Sequence, residues 1–282
     1  RAAPATGPRR GRTVSAAARW REALAAWAIP PTILEAAPVS PFGFPTEIFV
    51  SRAERARDDD PSAVVARAAL GDGGSVLDVG AGGGAASLPL APPATRLVAV
   101  DPSRELLDAF LRGADARGVG AAAVEGAWPD VASATEVCDV VVCHHVLYNV
   151  ADLAPFLAAL TTHARRRVVV EVTDRHPLAW MNDLWSSLHG VSRPDRPCAA
   201  DAVAVAAEIG IEVQREDWVR RAAAGGYARR EDAVALIRRR LCVGPERDGE
   251  IERFLGDRLR QDDGLWNAGP RETQIATLRW EP

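Results

Sequence analysis

Residues 75–86 read SVLDVGAGGGAA: a short apolar run, four glycines within five positions, then an alanine-rich stretch. Few folds accept that pattern. Glycines allow positive φ and let a ligand approach the backbone with no Cβ in the way. A strand that feeds such a turn and then a helix is a nucleotide-binding corner of a parallel sheet. A helix begun near residue 85 would add free N–H groups and partial positive charge. About 20 residues further on, a second apolar run ends at Asp101 (VAVDPS), where one carboxylate suits both hydroxyls of a ribose. Gly80-x-Gly82-x-x-Ala85 also satisfies the dinucleotide fingerprint. Two details weigh against a dinucleotide. Asp78 stands where such sites keep an apolar residue, and it suits the ammonium of an amino-acid-bearing cofactor; no second cofactor motif follows.

Around this turn the chain alternates. Apolar runs at 75–79, 96–100, 121–124, 139–143 and 167–172 are short and bounded by turn residues, as strands buried on both faces are. Helical stretches are expected between them at 85–90, 103–117, 153–164 and 178–188. Strand–helix alternation of this kind predicts a doubly wound, mostly parallel α/β sheet. Upstream, helices are expected at 13–28, 47–57 and 61–70, with Asp60 capping the last and Pro61 in its first turn. Downstream, helices are expected at 199–209, 228–241 and 246–261, and strands at 211–219 and 274–280.

These motifs are similar to those of a known family. DVGAGGG resembles motif I of class I S-adenosylmethionine (SAM)-dependent methyltransferases, VAVDPS resembles their motif II, and CDVVVCHHVLYNV resembles their fourth-strand motif. The resemblance implies a seven-stranded sheet with helices on both faces and an N-terminal helical lid. Residues 1–70 would form tail and lid, and 71–282 the Rossmann-like domain, with a substrate-binding insertion at about 176–200. SAM would be the cofactor. Asp78, Gly80, Ala81, Gly82 and Gly84 would line its methionine end. Asp101, with Pro102 and Ser103, would hold the ribose. Gly126, Ala127 and Trp128 would flank the adenine, and the backbone at Cys143 and His144 would close over the cofactor. One departure stands out: the family often has an acidic residue followed by a small one after the third strand, where this chain has Ala127-Trp128.

Methyl transfer is an in-line displacement that needs alignment and exclusion of water, and a base only if the acceptor must lose a proton. Candidate bases are His144, His145 and Tyr148, after the fourth strand, and His176 after the fifth. Phe42, Phe44 and Phe49 offer an apolar wall, Arg52 a partner for a carboxylate, and Trp180 and His176 further substrate contacts. The NPP[YFW] pattern of resembling enzymes that methylate planar nitrogens is absent; HHVLYN stands there.

Composition narrows the rest. The net charge is -4 and there is no lysine, which excludes a Schiff-base or Walker lysine. The four cysteines show no zinc spacing, and no metal is expected. Arg165–Arg167 and Arg238–Arg240 are not interleaved with aromatic residues, so solvated faces are expected before a nucleic-acid groove. No apolar run approaches the ~20 residues a membrane span requires, and residues 1–12 carry no secretory core; a cytoplasmic protein with a small-molecule acceptor is expected. A non-catalytic SAM-binding protein and an RNA or protein methyltransferase remain as alternatives.

Overall fold

A computed structural model describes residues 14–43, 45–221 and 226–282; Phe44 lies outside them. The first helices are α1 (Ala16–Ala25), α2 (Pro31–Ala36), α3 (Thr46–Glu54) and α4 (Pro61–Leu70). Ser15 caps α1 by accepting from the Ala18 amide at 3.1 Å. Pro31 and Pro61 each open a helix, because the first turn needs no amide donor. Asp60 stands at the N-cap of α4, yet its carboxylate makes no capping bond and turns to Arg220 instead.

The alternating region follows as β1 (Gly74–Val79), β2 (Ala94–Asp101), α5 (Arg104–Asp115), β3 (Gly120–Glu125), β4 (Cys138–His144), α6 (Leu153–Thr162) and β5 (Ala164–Thr173). Then come α7 (Asn182–His189), α8 (Ala199–Glu208), β6 (Gln214–Arg220), α9 (Arg230–Arg240), α10 (Asp248–Leu255), β7 (Leu259–Asp262), β8 (Leu265–Ala268) and β9 (Thr273–Trp280). Seven strands form one sheet in the order β3-β2-β1-β4-β5-β9-β6. Strand β9 runs antiparallel to the other six. The central strands are buried on both faces, with Val76, Leu77, Val140, Val141, Val168 and Val169 all inaccessible. That is why they read as continuous apolar runs.

One face of the sheet is covered by α4 and α5, and α3 lies on α5; the other is covered by α1, α6 and α8. In α5, Leu106, Leu107, Phe110 and Ala114 form the buried stripe. A third core gathers α7, α9 and α10 with Ile29 and Ile33 of the N-terminal segment. The expected N-terminal helices are present. They are also part of the core: Trp20 of α1 is 2% exposed and its indole N–H donates to the Val150 carbonyl at 2.7 Å.

Two expectations fail locally. No α-helix forms at 85–90, where a turn leads into one short 3-10 turn, Leu88–Leu90. Pro89, Pro92 and Pro93 remove donors across the few residues before β2, so a helix cannot propagate. The stretch 246–261 is not one helix either. It holds α10 and then starts the β7–β8 hairpin. Asp263 (φ 49°) and Gly264 (φ 80°) provide the left-handed pair that a two-residue hairpin turn requires.

Candidate active site

The glycine turn follows the carboxyl end of β1 and lies against the carboxyl end of β2. Gly80, Gly82 and Gly84 have φ of 72°, 52° and 92°. Such angles strain any residue with a Cβ. The amides of Gly80 and Ala81 both donate to the Val100 carbonyl, at 2.8 and 3.1 Å, which hooks the turn over β2. Asp101 completes the hook. Its Oδ2 accepts from the Gly82 amide and its Oδ1 from the Ser103 amide, each at 2.9 Å. Ser103 in turn caps α5 through its hydroxyl. Asp101 therefore holds two segments of backbone in addition to any ligand, a task its spacing alone did not reveal. Because no α-helix follows the turn, the positive helix terminus expected behind it is missing.

The turn is walled on two sides. A Cβ on Gly80 would lie 2.3 Å from a methyl of Val146, in the loop after β4. One on Gly82 would meet the Phe49 ring at 3.1 Å, and one on Gly83 the Phe49 carbonyl oxygen at 2.8 Å. Phe49, from α3, is thus the aromatic residue of the expected wall that reaches the turn. Phe42 is 58% exposed.

Asp78 lies beneath the turn, 1% exposed. Its Oδ2 accepts from the Ser87 hydroxyl at 2.6 Å, while Oδ1 is buried with no hydrogen-bond partner among the described residues. Burial pushes its carboxyl up to about 7, against the opposing bond from Ser87. A carboxylate in this state lacks a cationic donor.

After β3, the Gly126 amide donates to the Asp101 carbonyl at 3.1 Å, and Ala127 is exposed. Trp128 packs edge-on to His163, with ring centroids 4.8 Å apart, and its buried indole N–H has no partner among the described residues. Pro102, beside Asp101, is exposed. Cys143 is fully buried, and burial raises its thiol well above the ordinary value.

The end of β4 carries the titratable groups. His144 is half-buried, its Nε2 has no partner among the described residues, and burial pulls its imidazole down to about 4. His145 has φ 60°, and its Nε2 lies 2.9 Å from Glu171 Oε1 and 3.1 Å from Arg220 Nη1. Glu171 of β5 is 2% exposed. Arg220 of β6 donates to it at 2.7 Å and to Asp60 at 3.2 Å. Burial opposes ionisation of Glu171, but the two histidines and the permanent charge of Arg220 hold it well below the ordinary value. Sequence reading missed Glu171, although a lone acid inside VVVEVT, in a strand buried on both faces, was a usable signal. Nothing marked Arg220, and Asp60 was marked only as a helix cap.

Other expected residues lie elsewhere. The Tyr148 hydroxyl is engaged by the amide and hydroxyl of Thr173, and burial raises it well above its ordinary value, so it holds β5 rather than moving protons. His176 stacks on Trp27 at 3.7 Å, and burial, then Arg193, pulls it down to about 4. Trp180 packs into the third core. Arg52 stands on α3 one turn after Phe49, with its guanidinium 6.0 Å from that ring.

A doubly wound sheet with one antiparallel strand near its edge, a glycine turn after β1 and an acid closing β2 define a class that binds a nucleotide-containing cofactor at the strand ends. Residues 53–209 match the family described as a methyltransferase domain, and the chain belongs to that family of class I SAM-dependent methyltransferases. The family's cofactor is SAM. The fold is similar to that of a protein from Bacillus halodurans C-125 provisionally described as a methyltransferase, with 16% identity, 77% of this chain and 95% of that one covered, and a TM-score of 0.50. A magnesium protoporphyrin IX methyltransferase from Synechocystis PCC 6803 with bound SAH gives 15%, 84%, 90% and 0.47. A SAM-dependent methyltransferase from Thiobacillus denitrificans in complex with S-adenosyl-L-homocysteine (SAH) gives 14%, 86%, 100% and 0.46. At these identities the likeness is one of fold. No curated protein sequence matches the chain. Among the described residues no helix is long and apolar enough to cross a membrane.

Proposed function

We propose that the chain transfers a methyl group from SAM to a small-molecule acceptor at the carboxyl ends of β1, β2, β4 and β5. The observation that carries this reading is Asp78: a buried carboxylate with one oxygen unpartnered beside three left-handed glycines. That oxygen suits an ammonium group, and the open backbone of the turn suits a ligand lying against it. Asp101, already holding Gly82, retains acceptor capacity for ribose hydroxyls, since each carboxylate oxygen accepts more than one bond. Phe49 and Val146 would wall the methionine end. Trp128 would flank the adenine.

SAM, when bound, supplies a methyl group on a positively charged sulfur. The chain's own task is to align the acceptor and exclude water. His144, neutral at physiological pH, has Nε2 unengaged and accepts a hydrogen bond from an acceptor O–H or N–H there. With a pKa of about 4 it orients that group rather than storing its proton. His145 is held by Glu171 and Arg220, which fixes the loop carrying both histidines.

The arginine runs support a small acceptor over a nucleic acid. Arg166 binds Asp139 and the Leu70 carbonyl, and Arg167 binds Glu281. Arg238 binds Asp248, while Arg239 and Arg240 bind carbonyls of loop residues Ser40, Pro41, Phe42 and Gly43. These guanidiniums are engaged within the fold.

Calorimetric titration with SAM, SAH and NAD tests the cofactor assignment. Binding of the first two and not NAD is expected; NAD binding alone overturns it. Incubation with methyl-labelled SAM and a cell extract then tests the acceptor class. Label is expected in the small-molecule fraction, and label confined to protein or RNA overturns that part.

A further inference from the structure

Two consecutive histidines stand at the end of β4, and their surroundings differ. His144 has a buried Nε2 without a partner among the described residues, and burial holds its imidazole at about 4. It can orient an acceptor but cannot keep that acceptor's proton. His145 is the reverse. Its side chain is 36% exposed, and its Nε2 lies 2.9 Å from Oε1 of Glu171, whose side chain is 2% exposed. Its Nδ1 makes no hydrogen bond to any described residue. Val146, the next residue, walls the glycine turn at Gly80, so His145 stands one residue from the cofactor side of the site.

Glu171 grips His145 twice. The His145 amide donates to the Glu171 carbonyl at 2.8 Å, and the imidazole meets the Glu171 carboxylate. These contacts hold His145 at φ 60°, a left-handed angle that a residue with a Cβ adopts only when its neighbours impose it. The charged groups around the imidazole are His144 of β4, Glu171 of β5 and Arg220 of β6, with Asp60 on the far side of Arg220. Arg220 Nη1 lies 3.1 Å from the same Nε2. A guanidinium only donates and a carboxylate only accepts, so Nε2 cannot serve both. The carboxylate is the nearer of the two, and it is buried where an unmade bond costs most. Arg220 already donates to Glu171 at 2.7 Å and to Asp60 at 3.2 Å. The ring hydrogen therefore sits on Nε2 and points at Glu171, and Nδ1 keeps its lone pair.

We propose that His145 and Glu171 form a general-base dyad: His145 Nδ1 takes the proton of a hydroxyl acceptor, and Glu171 is the positioning residue behind it. This rests on the methyltransferase reading and deepens it by naming the acceptor's class, one whose attacking oxygen carries a proton until it is methylated. As that oxygen bonds to the methyl carbon, its proton passes to Nδ1. The electron pair of the broken carbon–sulfur bond stays on the sulfur, which becomes neutral. Glu171 balances the imidazolium that results, and the exposed part of the ring returns the proton to water. An imidazole with one nitrogen fixed on a buried carboxylate and the other free is oriented for this task in a way that His144, with no bond at Nε2, is not.

Nitrogen NMR of the full chain with SAH, using His145→Gln to identify the resonance, reads which ring nitrogen of neutral His145 carries the hydrogen. Nε2 is expected. Hydrogen on Nδ1, with Nε2 accepting from Arg220, overturns the dyad without reference to turnover. The second measurement is the rate of transfer from SAM with an isotope-labelled methyl group into the small-molecule fraction of a cell extract. His145→Gln is expected to lose about 100-fold or more, and Glu171→Gln about 10-fold. The Glu171→Gln rate should also hold to lower pH than that of the unmodified protein, since an imidazolium without its carboxylate gives up a proton more readily. A merely structural Glu171 would lower the rate without displacing the pH profile. That outcome, or an unchanged rate in His145→Gln, overturns the proposal. SAH binding by each variant reports that it is folded. The labelled product is expected to be a methoxy compound, and a methyl group on nitrogen, sulfur or carbon overturns the acceptor class. Absence of label with the unmodified protein would sink the methyltransferase reading, whereas label transfer by a protein with hydrogen on Nδ1 would sink only the dyad.

Discussion

At the scale of single residues, Asp78 sets how the site responds to pH. Its carboxyl is raised to about 7 by burial. A cationic ligand end binds the ionised form, so cofactor affinity should be flat above pH 7 and fall below it, approaching tenfold per pH unit. The sign for stability is the opposite. The folded state holds a proton that the unfolded chain releases near 3.8, so the ligand-free protein loses stability from this group as pH rises from about 4 to about 7. Calorimetry with SAH at pH 6 and pH 8, on the protein and on Asp78→Asn, checks the first, and thermal unfolding of the ligand-free protein across pH 4 to 7 checks the second. The asparagine variant should bind weakly with no pH step, and a step that survives in it would assign the titration elsewhere. Glu171 runs the other way. Its carboxyl is depressed, so its contribution is present above the ordinary value of 4.5 and lost as pH falls below it. Glu171→Gln leaves Arg220 with Asp60 as its one carboxylate partner and should cost about 3 kcal/mol, the lower end for a broken buried pair because Arg220 keeps some solvent. Chemical denaturation measures that loss; an unchanged midpoint would show the network to be dispensable.

At the scale of elements, the backbone of α3 lies directly against the glycine turn. Gly83 has no positive φ, so Gly83→Ala adds a methyl group without backbone strain. That methyl would lie 2.8 Å from the Phe49 carbonyl oxygen and 3.1 Å from its carbon, atoms that no rotamer change can move. The helix must shift, and a stability loss of about 1–3 kcal/mol is expected in thermal unfolding. An unaltered unfolding temperature would mean that α3 does not rest on the turn. The elements also show what the sequence could reveal. β1, β2, β4 and β5 were legible because strands buried on both faces must be apolar throughout, and Val140–Val142 and Val168–Val170 leave little choice. The missing helix at 85–90 was less legible. Alanines favour helix, and only the combined effect of Pro89, Pro92 and Pro93 over so short a connection overrides them. The β7–β8 hairpin was hidden for a related reason: Glu246–Phe254 has helical periodicity, and the Asp263-Gly264 turn signal lies just past it. At the site, Asp78, the glycines and Asp101 were readable from local spacing. Arg220 was not, because only β6 brings it back to residues far away in sequence.

At the scale of the whole molecule, the segment before the sheet is bound into it rather than laid over it. Trp20 fills the core under α6 and α8 and donates to Val150. Trp27 donates to the Arg196 carbonyl at 2.6 Å and stacks on His176. Ile29 and Ile33 enter the third core with α7, α9 and α10. Arg239 and Arg240 then hold the loop that leads into α3. The α3 helix, with Phe49 and Arg52, is thereby fixed from both directions: by the glycine turn beneath it and by the tether to α9. Substituting alanine for one buried tryptophan commonly costs about 3–5 kcal/mol, and whole domains have only about 5–15 kcal/mol to lose. A chain begun at Thr46 lacks both tryptophans, both isoleucines and the tethered loop. It should therefore lose its cooperative thermal transition, or show it at a much lower temperature, and should fail to bind SAH. A detachable cover would behave differently. The shortened protein would unfold at nearly the same temperature and bind SAH normally, and only turnover would be lost. Thermal unfolding and SAH calorimetry on that one truncation separate the two cases, and the buried position of Trp20 is the ground for expecting the first.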